Sequence, residues 1–266
     1  MAMYARILTR DRMLSGLLML SCIASAWAQT DSPSPTARSS TSAAAVLAPF
    51  STSVPGAPPQ SWRAVALPDK KIAPSRFDIT PLDGRNVLRL RADKSYGTLT
   101  HAASSANPAL RILRWQWRLD QPLASSDLRR KDGDDVALKV CALFDMPLDK
   151  LSFGERSLLR LARAVSGEDL PGATLCYVWD TALPVGTWLP NAYSKRVRYV
   201  VLESGSQNLG RWVAQQRNIG DDFLKSFGDE TDTIPPLRAI AVGADADNTG
   251  GTSLGYLADI SLQESP

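Results

Sequence analysis

The chain has 266 residues, 44% of them hydrophobic and 21% charged, and its formal net charge is +3. With 17 glycines and 18 prolines, this composition is typical of a globular protein. It excludes a coiled coil, a collagen and a chain that is disordered throughout, and three cysteines are too few for a scaffold built on disulfides.

The N-terminus has the pattern of a secretory signal peptide. Three arginines precede an apolar run over residues 13–23, and Ala26 and Ala28 supply small residues where a signal peptidase cleaves. The apolar run is about half of the ~20 residues that a membrane span needs. We therefore expect residues 1–28 to be removed, which leaves a periplasmic or secreted chain without a transmembrane anchor.

Removal of this segment changes the charge balance. It takes away three of the 30 basic and one of the 27 acidic side chains. The mature chain, with 27 basic and 26 acidic side chains, is therefore nearly neutral. Because a nucleic-acid partner normally requires a basic surface that neutralises phosphates, we do not expect one.

The chain then passes through a tether into one folded domain. Residues 29–45 are rich in Ser, Pro, Ala and Thr and have no hydrophobic period, which is typical of a flexible linker. An apolar cluster begins at Val46, and no second linker follows. The sequence therefore predicts a single domain over 46–266.

From residue 60 onward, apolar and polar residues alternate in short runs. Within 111–119, Trp115 and Trp117 occupy apolar positions, and Arg114 and Arg118 occupy polar ones. This period of two predicts a strand with one face in a core. Strands are predicted over 62–66, 77–81, 87–92, 97–100, 111–119, 136–144, 174–180, 197–202, 212–217, 237–242 and 255–262. Such short strands, separated by turn residues, indicate a mainly β fold, a jelly-roll-like antiparallel β-sandwich.

One helix is predicted between two of these strands, over 151–166. Ser152 and Glu155 form a capping box at its start, and Gly167 is a stop signal at its end. Helical spacing predicts a buried face of Leu151, Leu158, Leu159, Ala162 and Val165 and a solvated face of Arg156, Arg160 and Arg163. A second, shorter helix is predicted from 221 or 222 to 227.

The sequence assigns no catalytic residue and no metal ligand. His101 is the only histidine, and no G-x-S-x-G elbow accompanies it. Cys141 and Cys176 lack the paired spacing of a zinc site. Because disulfides persist outside the cytoplasm, these two cysteines either form one disulfide or remain as thiols.

Acidic residues gather in the predicted connections between strands. They are Asp134, Asp135, Asp221, Asp222, Asp245 and Asp247, with Asn248 beside the last. Two carboxyls about 5–10 Å apart can hydrolyse a glycosidic bond, but Asp and Asn are also common turn residues. The run 245–250 has oxygen ligands at alternate positions but lacks the remaining pattern of an EF-hand. We expect polar loops, with a structural calcium as the alternative and no other cofactor.

Several short motifs in order resemble one family. They are Trp115-Gln116-Trp117, Asp134-Asp135, Tyr177-Val178-Trp179, Asn191 with Lys195-Arg196, Trp212 with Arg217-Asn218, Asp221-Asp222, Phe227-Gly228, 245–250 and Ala258-Asp259-Ile260. Over about residues 50–262 the chain resembles the bacterial secreted domain-of-unknown-function family numbered 3047. The resemblance implies an exported single domain similar to galactose-binding-like jelly rolls, with no assigned reaction. The helix at 151–166 departs from the shorter connection of that family.

The strand faces suggest a ligand site. If Trp115 and Trp117 point inward, Arg114, Gln116 and Arg118 point outward. We expect Lys139 and Cys141 on a neighbouring strand to join that face. Jelly-roll modules bind sugars on polar faces edged with indole rings. The hypothesis is a non-catalytic periplasmic module that binds a glycan or another small polar ligand through Arg114, Arg118, Lys139, Trp179, Trp212 and Arg217.

Three alternatives remain open at the level of sequence. The cationic side chains can form ion pairs with Asp180, Glu203 and Asp259 and merely solvate the sheet. Two of the carboxylates can make the protein a carbohydrate-active hydrolase or lyase. The protein can also act in envelope assembly by binding a partner protein.

Overall fold

The computed structural model describes residues 47–67, 71–103, 110–166 and 169–264. The predicted signal peptide and tether lie outside these residues. The strands are β1 Trp62–Val65, β2 Ala73–Pro74, β3 Arg76–Leu82, β4 Arg85–Asp93, β5 Ser95–Ala102, β6 Leu110–Gln121, β7 Leu138–Phe144, β8 Ala173–Asp180, β9 Trp188–Pro190, β10 Val197–Ser204, β11 Val213–Asn218, β12 Leu237–Asp245, β13 Thr252–Leu257 and β14 Ser261–Glu264. The helices are α1 Phe153–Ser166 and α2 Ile219–Phe227, with 3-10 turns at Lys131–Gly133 and Leu148–Lys150.

The strands form two sheets. The eight-stranded sheet has the order β1-β5-β12-β7-β8-β10-β9, with β2 beside β5. The six-stranded sheet has the order β11-β6-β13-β4-β3, with β14 also beside β6. Neighbours are antiparallel except for the β8–β10 and β2–β5 pairs. The mainly β sandwich that the sequence predicts is therefore confirmed.

The core lies between the two sheets and is rich in aromatic rings. On β6, Trp115 and Trp117 point inward, as the alternation predicts, and are 2% and 0% exposed. Their ring centroids lie 5.3 Å from that of Tyr177 and 5.7 Å from that of Trp179, respectively. Since Tyr177 and Trp179 belong to β8, these contacts join the six-stranded sheet to the eight-stranded one.

The outer face of the eight-stranded sheet is also covered. The connection between β6 and β7 packs Leu128 and Val136 onto this face, where they form a second apolar cluster with strand residues. Cys141 of β7 and Cys176 of β8 form a disulfide within that cluster, which confirms the paired alternative. Side chains that point away from the core on β7 are consequently buried rather than solvated.

Each predicted strand is present, with ends shifted by a few residues. The run 255–262 is divided into β13 and β14, because Ala258–Ile260 leaves the ladder between them. The short strands β2 and β9 were not predicted. Helix α2 begins earlier than expected because the Asn218 side chain caps it, accepting from the backbone N–H groups of Gly220 and Asp221.

Helix α1 is present where the sequence predicts it, but its orientation differs. The Ser152 hydroxyl donates to Glu155 at 2.8 Å and accepts from the Glu155 N–H, so the capping box is confirmed. Leu158, expected in the core, is 58% exposed, whereas its neighbour Leu159 is 6% exposed. Within the described residues, no helix is long and apolar enough to cross a bilayer.

Candidate functional site

The outer face of the six-stranded sheet carries a row of polar side chains. The alternation that buries Trp115 and Trp117 turns Arg114 and Gln116 outward, where both are exposed. Register places Gln216 of β11 on one side of Arg114 and Ser261 of β14 on the other. Three strands therefore contribute to one polar surface.

Two adjoining cavities lie on this surface. The larger, about 310 Å³, is lined in part by Arg114, Gln116, Gln216, Asp259 and Ser261. The smaller, about 160 Å³, is lined by Ser51, Arg85, Asn86, Gln116, Ala258 and Asp259. Because Gln116 and Asp259 line both cavities, we treat them as one groove, defined by Arg85, Arg114, Gln116, Gln216, Asp259 and Ser261.

The two arginines of the groove bind neutral amides. The Nε of Arg114 donates to Gln216 Oε1 at 2.6 Å, and its Nη1 donates to Gln263 Oε1 at 2.7 Å. The Nη2 of Arg85 donates to Gln116 Oε1 at 2.8 Å. Across the described part of the chain, neither guanidinium has a carboxylate within ion-pair distance. Hydrogen bonds to exposed amides exchange readily with water or a ligand, because both partners remain solvated.

An indole ring lies at one end of the groove. The guanidinium carbon of Arg85 is 4.5 Å from the ring centroid of Trp212, a cation–π contact. The Trp212 Nε1 donates to Asp83 at 2.8 Å, and Arg118 also binds Asp83, at 3.0 Å. Arg118 is paired with Asp120 as well, at 2.6 Å. The hydrogen bond that Arg118 donates to Asp120 raises the pKa of Arg118, so this arginine is held by acids and is less available than Arg114.

Asp259 lies in the wall of the groove and is already engaged. Its carboxylate accepts from the backbone N–H groups of Phe50 and Ser51, at 2.7 and 2.9 Å, and from the Ser51 hydroxyl. Phe50 is fully buried. Asp259 therefore fixes the segment around residue 50 against the six-stranded sheet and completes one side of the groove.

Lys139 lies on the opposite side of the sandwich. The expectation that it shares a face with Arg114 is wrong, because β6 and β7 follow each other in sequence but belong to different sheets. Lys139 is 5% exposed under the β6–β7 connection, and its Nζ donates to Asp245 Oδ1 at 2.7 Å. Its ammonium is therefore enclosed by protein and does not face the groove.

Four aspartates gather around the Lys139–Asp245 pair, and we call them the acidic cluster: Asp134, Asp135, Asp245 and Asp247. Asp135 accepts from the backbone N–H groups of Asn248 and Thr249 and from the Thr249 hydroxyl. Asp134 accepts from Asn191 and from the Tyr199 hydroxyl. The predicted polar loops at 134–135 and 245–248 thus converge on one buried network.

Burial changes the acid–base properties of the acidic cluster. Desolvation raises the pKa of Asp245 to about 6, although the Lys139 charge opposes the shift. Burial likewise raises the pKa of Asp134. For Lys139, burial acts to lower the pKa, but the attraction of Asp245 and its neighbours outweighs burial and raises it.

The acidic cluster is also where a cation would find oxygen ligands. Carboxylate oxygens of Asp135, Asp245 and Asp247 lie within 4.8 Å of one another, and such groups suit calcium. The Lys139 ammonium already contacts Asp245 and supplies a positive charge inside this set. A structural calcium at 245–250 stays a prediction.

The remaining predicted ligand residues lie away from the groove. Arg217 is paired in a bidentate manner with Asp222, which also accepts from the Tyr177 hydroxyl at 2.7 Å. Trp179 is 1% exposed and packs in the core. Asp221 lies exposed in the first turn of α2. Of the six residues predicted to bind ligand, the structure places only Arg114, Arg118 and Trp212 on the outer face of the six-stranded sheet.

The sequence also allowed these cationic side chains to pair with Asp180, Glu203 and Asp259. Arg118, Lys139 and Arg217 do form ion pairs, but with other acids. Asp180 accepts instead from backbone N–H groups of 182 and 183. Glu203 accepts from Asn208 and Gln215.

Two groove residues, Arg85 and Gln216, were not predicted from the sequence. Neither had a clear sequence signal, because β11 is polar at every position from Gln215 to Asn218 and the place of Arg85 depends on the strand order.

Comparison with known proteins gives one family and several distant folds. A family model described as "Protein of unknown function (DUF3047)" matches residues 60–261. No curated protein matches the chain.

The chain is similar to the xyloglucanase domain of NopAA, a type three effector from Sinorhizobium fredii, at 9% identity over 77% of this chain and 91% of that chain, with a TM-score of 0.42. It is also similar to a family 12 xyloglucanase from Bacillus licheniformis, at 7% identity over 75% and 90%, with a TM-score of 0.41. The endoglucanase cel12A from Rhodothermus marinus has 14% identity over 80% and 99%, with a TM-score of 0.40. These likenesses are too distant to inform function.

Proposed function

Because this chain belongs to the DUF3047 family, which is described as of unknown function, we propose a function from its own residues: it binds an acidic glycan, without catalysis, in the groove of the six-stranded sheet. The observation that carries the proposal is the pair of guanidiniums of Arg85 and Arg114, which face a solvent-accessible groove and hold only amide oxygens. A sugar carboxylate can replace those amides in a bidentate geometry, which is stronger than a neutral hydrogen bond.

The rest of the groove suits a sugar ring. Gln116 and Gln216 offer planar amides that can donate to and accept from hydroxyls. Trp212 offers an indole ring beside Arg85, and indoles pack against the apolar face of a sugar. The larger cavity, about 310 Å³, lies at the small end of the range for ligand sites, and the smaller one, about 160 Å³, lies below that range. We therefore expect a short glycan segment to bind.

The disulfide supports an extracytoplasmic location for this activity. Disulfides persist in the periplasm and outside the cell but are rare in the cytosol, and Cys141–Cys176 is such a bond. A periplasmic or secreted protein would meet polysaccharides directly. Location and ligand are therefore consistent with each other.

Titration calorimetry with oligosaccharides tests the proposal. We expect uronic acid oligomers to bind and neutral gluco-oligomers of the same length to bind more weakly. Arg114→Ala should weaken binding by about 10- to 100-fold, the range for a lost hydrogen bond to a charged group. Arg129→Ala is the matched control, because Arg129 is exposed and paired with Asp127 away from the groove. An absence of binding to both acidic and neutral oligomers would overturn the proposal.

The hydrolase or lyase alternative would draw on the acidic cluster, where raised carboxyl pKa values resemble those of acid–base pairs. Asp245 is 3% exposed and held by Lys139, however, and Asp135 is 1% exposed. A substrate would have to displace the loops that cover them. Binding in the groove is therefore the function that the geometry favours. Turnover of any sugar substrate that Asp135→Asn abolishes would favour the enzyme instead.

A further inference from the structure

Helix α1 presents its apolar side to solvent. Phe153 is 82% exposed, Leu158 is 58% exposed and Leu161 is 51% exposed. At 3.6 residues per turn, Phe153, Ser157, Leu161 and Ala164 form one stripe along the helix, and all four are exposed. The one charged residue beside this stripe is Arg160, which is exposed at its edge. We call this side of the helix the α1 apolar face, defined by Phe153, Ser157, Leu158, Leu161 and Ala164.

Three of the four charged residues of α1 are turned toward the protein instead. Glu155 binds Arg196 at 3.0 Å. Arg156 donates to the Leu151 carbonyl at 3.1 Å, and Arg163 donates to the Leu170 carbonyl at 2.8 Å. The expectation that these arginines form a solvated face is therefore wrong for Arg156 and Arg163. A surface helix normally buries its apolar side chains. Helix α1 buries Leu159 in the core but leaves Phe153, Leu158 and Leu161 exposed.

The shape of the α1 apolar face limits what can cover it. The face is the ridge of a single helix of 14 residues, about 21 Å long and about 10 Å wide. A stable dimer needs about 800 Å² from each partner, which this strip does not supply by itself. A bilayer surface needs no complementary groove, since protruding side chains insert between lipids one by one.

The positive charge beside the α1 apolar face favours a bilayer that contains anionic lipids. Glu155 is neutralised by Arg196 and Arg163 is paired with Asp169, so the uncompensated exposed charge of α1 is that of Arg160. Arg160 is exposed and lies seven residues after Phe153, so it borders the same side of the helix. We propose that α1 docks the protein reversibly on an anionic membrane surface, with Phe153, Leu158 and Leu161 inserted at the boundary between headgroups and acyl chains.

This surface activity is independent of the proposed glycan binding. A few inserted side chains bury about as much apolar surface as part of one lipid chain, and a single acyl chain gives only reversible attachment. We therefore expect binding that rises with the anionic lipid fraction and falls with salt. The glycan groove uses none of the α1 residues.

Vesicle co-sedimentation of the full chain tests the inference. The probes are vesicles of phosphatidylethanolamine with phosphatidylglycerol, compared with vesicles of phosphatidylcholine. Phe153→Asp combined with Leu161→Asp should weaken binding to the anionic vesicles by about 10-fold or more, since each change removes an apolar side chain that would insert into the bilayer. Arg160→Glu should weaken binding to the anionic vesicles alone, also by about 10-fold.

Matched controls separate α1 from other apolar surface. Val54 and Val185 are 79% and 61% exposed elsewhere in the chain, so Val54→Asp and Val185→Asp should leave binding unchanged. The N-terminal residues are the same in every variant, so differences between variants report on α1. Circular dichroism checks that the helix persists, and Leu161→Gln replaces Leu161→Asp if it does not.

Two outcomes would overturn the inference. One is equal sedimentation of the wild-type chain and the double variant. The other is a wild-type dimer, measured by light scattering, that the double variant dissociates while neither protein binds vesicles. The second result would assign the α1 apolar face to a second copy of the chain. Loss of vesicle binding with unchanged glycan affinity would support the inference.

Discussion

The acidic cluster and the groove are both built from polar and charged side chains, on opposite faces of the sandwich, yet they differ in what their hydrogen bonds connect. In the acidic cluster, Lys139 and Asp245 are 5% and 3% exposed and are bonded to each other. In the groove, Arg114 and Gln216 are exposed and bonded to each other. Polar groups that water cannot reach must satisfy one another permanently, whereas exposed ones can exchange partners. The first arrangement serves stability, and the second is suited to a ligand.

The difference arises from what covers each sheet. The β6–β7 connection lies over the eight-stranded sheet with Leu128 and Val136, which are 0% and 1% exposed. On the six-stranded sheet, the segment around Ser51 reaches only the edge of the groove, through Asp259. The variants below separate the two regions, because a change in one should alter the free energy of unfolding and a change in the other should alter binding.

The largest effect is expected from Lys139→Met. This change leaves four nearby aspartates without their buried counterion, and breaking a buried ion pair costs about 3–5 kcal/mol. Urea unfolding should report a loss of that size in the free energy of unfolding. Arg114→Met, the same kind of change in the groove, serves as the control. A loss of less than about 1 kcal/mol in Lys139→Met would mean that the cluster is solvated like the groove.

The second largest loss of stability is expected from removal of the disulfide on the outer face of the eight-stranded sheet. Cys141→Ala combined with Cys176→Ala opens a link between residues 35 positions apart, and we expect a loss of about 2–4 kcal/mol. Thermal unfolding with and without a reducing agent measures this effect. The reducing agent should destabilise the wild type and leave the double variant unchanged, while glycan titration of the folded variant should match the wild type.

Alkaline pH should destabilise the folded chain through its buried tyrosines and Lys139. Burial raises the pKa of Tyr96, Tyr177 and Tyr199, and the surrounding acids raise that of Lys139 against the effect of its burial. The folded chain therefore keeps protons that the unfolded chain releases above about pH 10. Because the folded state then binds more protons, stability falls as pH rises, by up to about 1.4 kcal/mol per pH unit for each group.

Denaturant unfolding between pH 9 and pH 11 measures this slope. In Lys139→Met the slope should be shallower, since one of the titrating groups is gone. A wild-type slope near zero in that range would contradict the burial of these groups.

The smallest stability effect is expected from Arg114→Ala. The side chain is exposed and bonded to amides, so the free energy of unfolding should change by no more than about 0.5 kcal/mol. The same variant should lose glycan binding. If it unfolds readily instead, the groove is part of the structural framework, and the contrast between the two faces fails.

Much of the fold could be predicted from the local sequence pattern, but the sheet to which each strand belongs could not. Alternation correctly turned Trp115 inward and Arg114 outward, because a strand repeats every two residues. Alternation specifies a face and not a sheet, so it could not reveal that Lys139 belongs to the other layer. Nor could it reveal that a loop would cover that layer. The acidic loops were found by composition, yet their convergence depends on contacts between residues more than 100 positions apart, such as Lys139 and Asp245.

Helix α1 illustrates a different limit. Its capping box is a local signal and was predicted correctly. Its buried side was predicted only in part, because Leu158 and Leu159 are adjacent in sequence and lie on different faces of the helix. Leu159 packs in the core, and on the same side of the helix Glu155 binds Arg196 from a distant part of the chain.

The contact between Asp259 and residues 50 and 51 has a consequence for the order in which parts of the chain fold. The partners are separated by 209 and 208 positions, so the ribosome makes Asp259 long after the segment that it holds. Contacts of such long range form late, since much of the chain must be arranged before they can close. The backbone N–H of Phe50 therefore lacks its partner Asp259 until nearly the whole chain has been synthesised. We expect the groove to be among the last parts of the domain to mature, and a chain that is cut short before β14 to lack it.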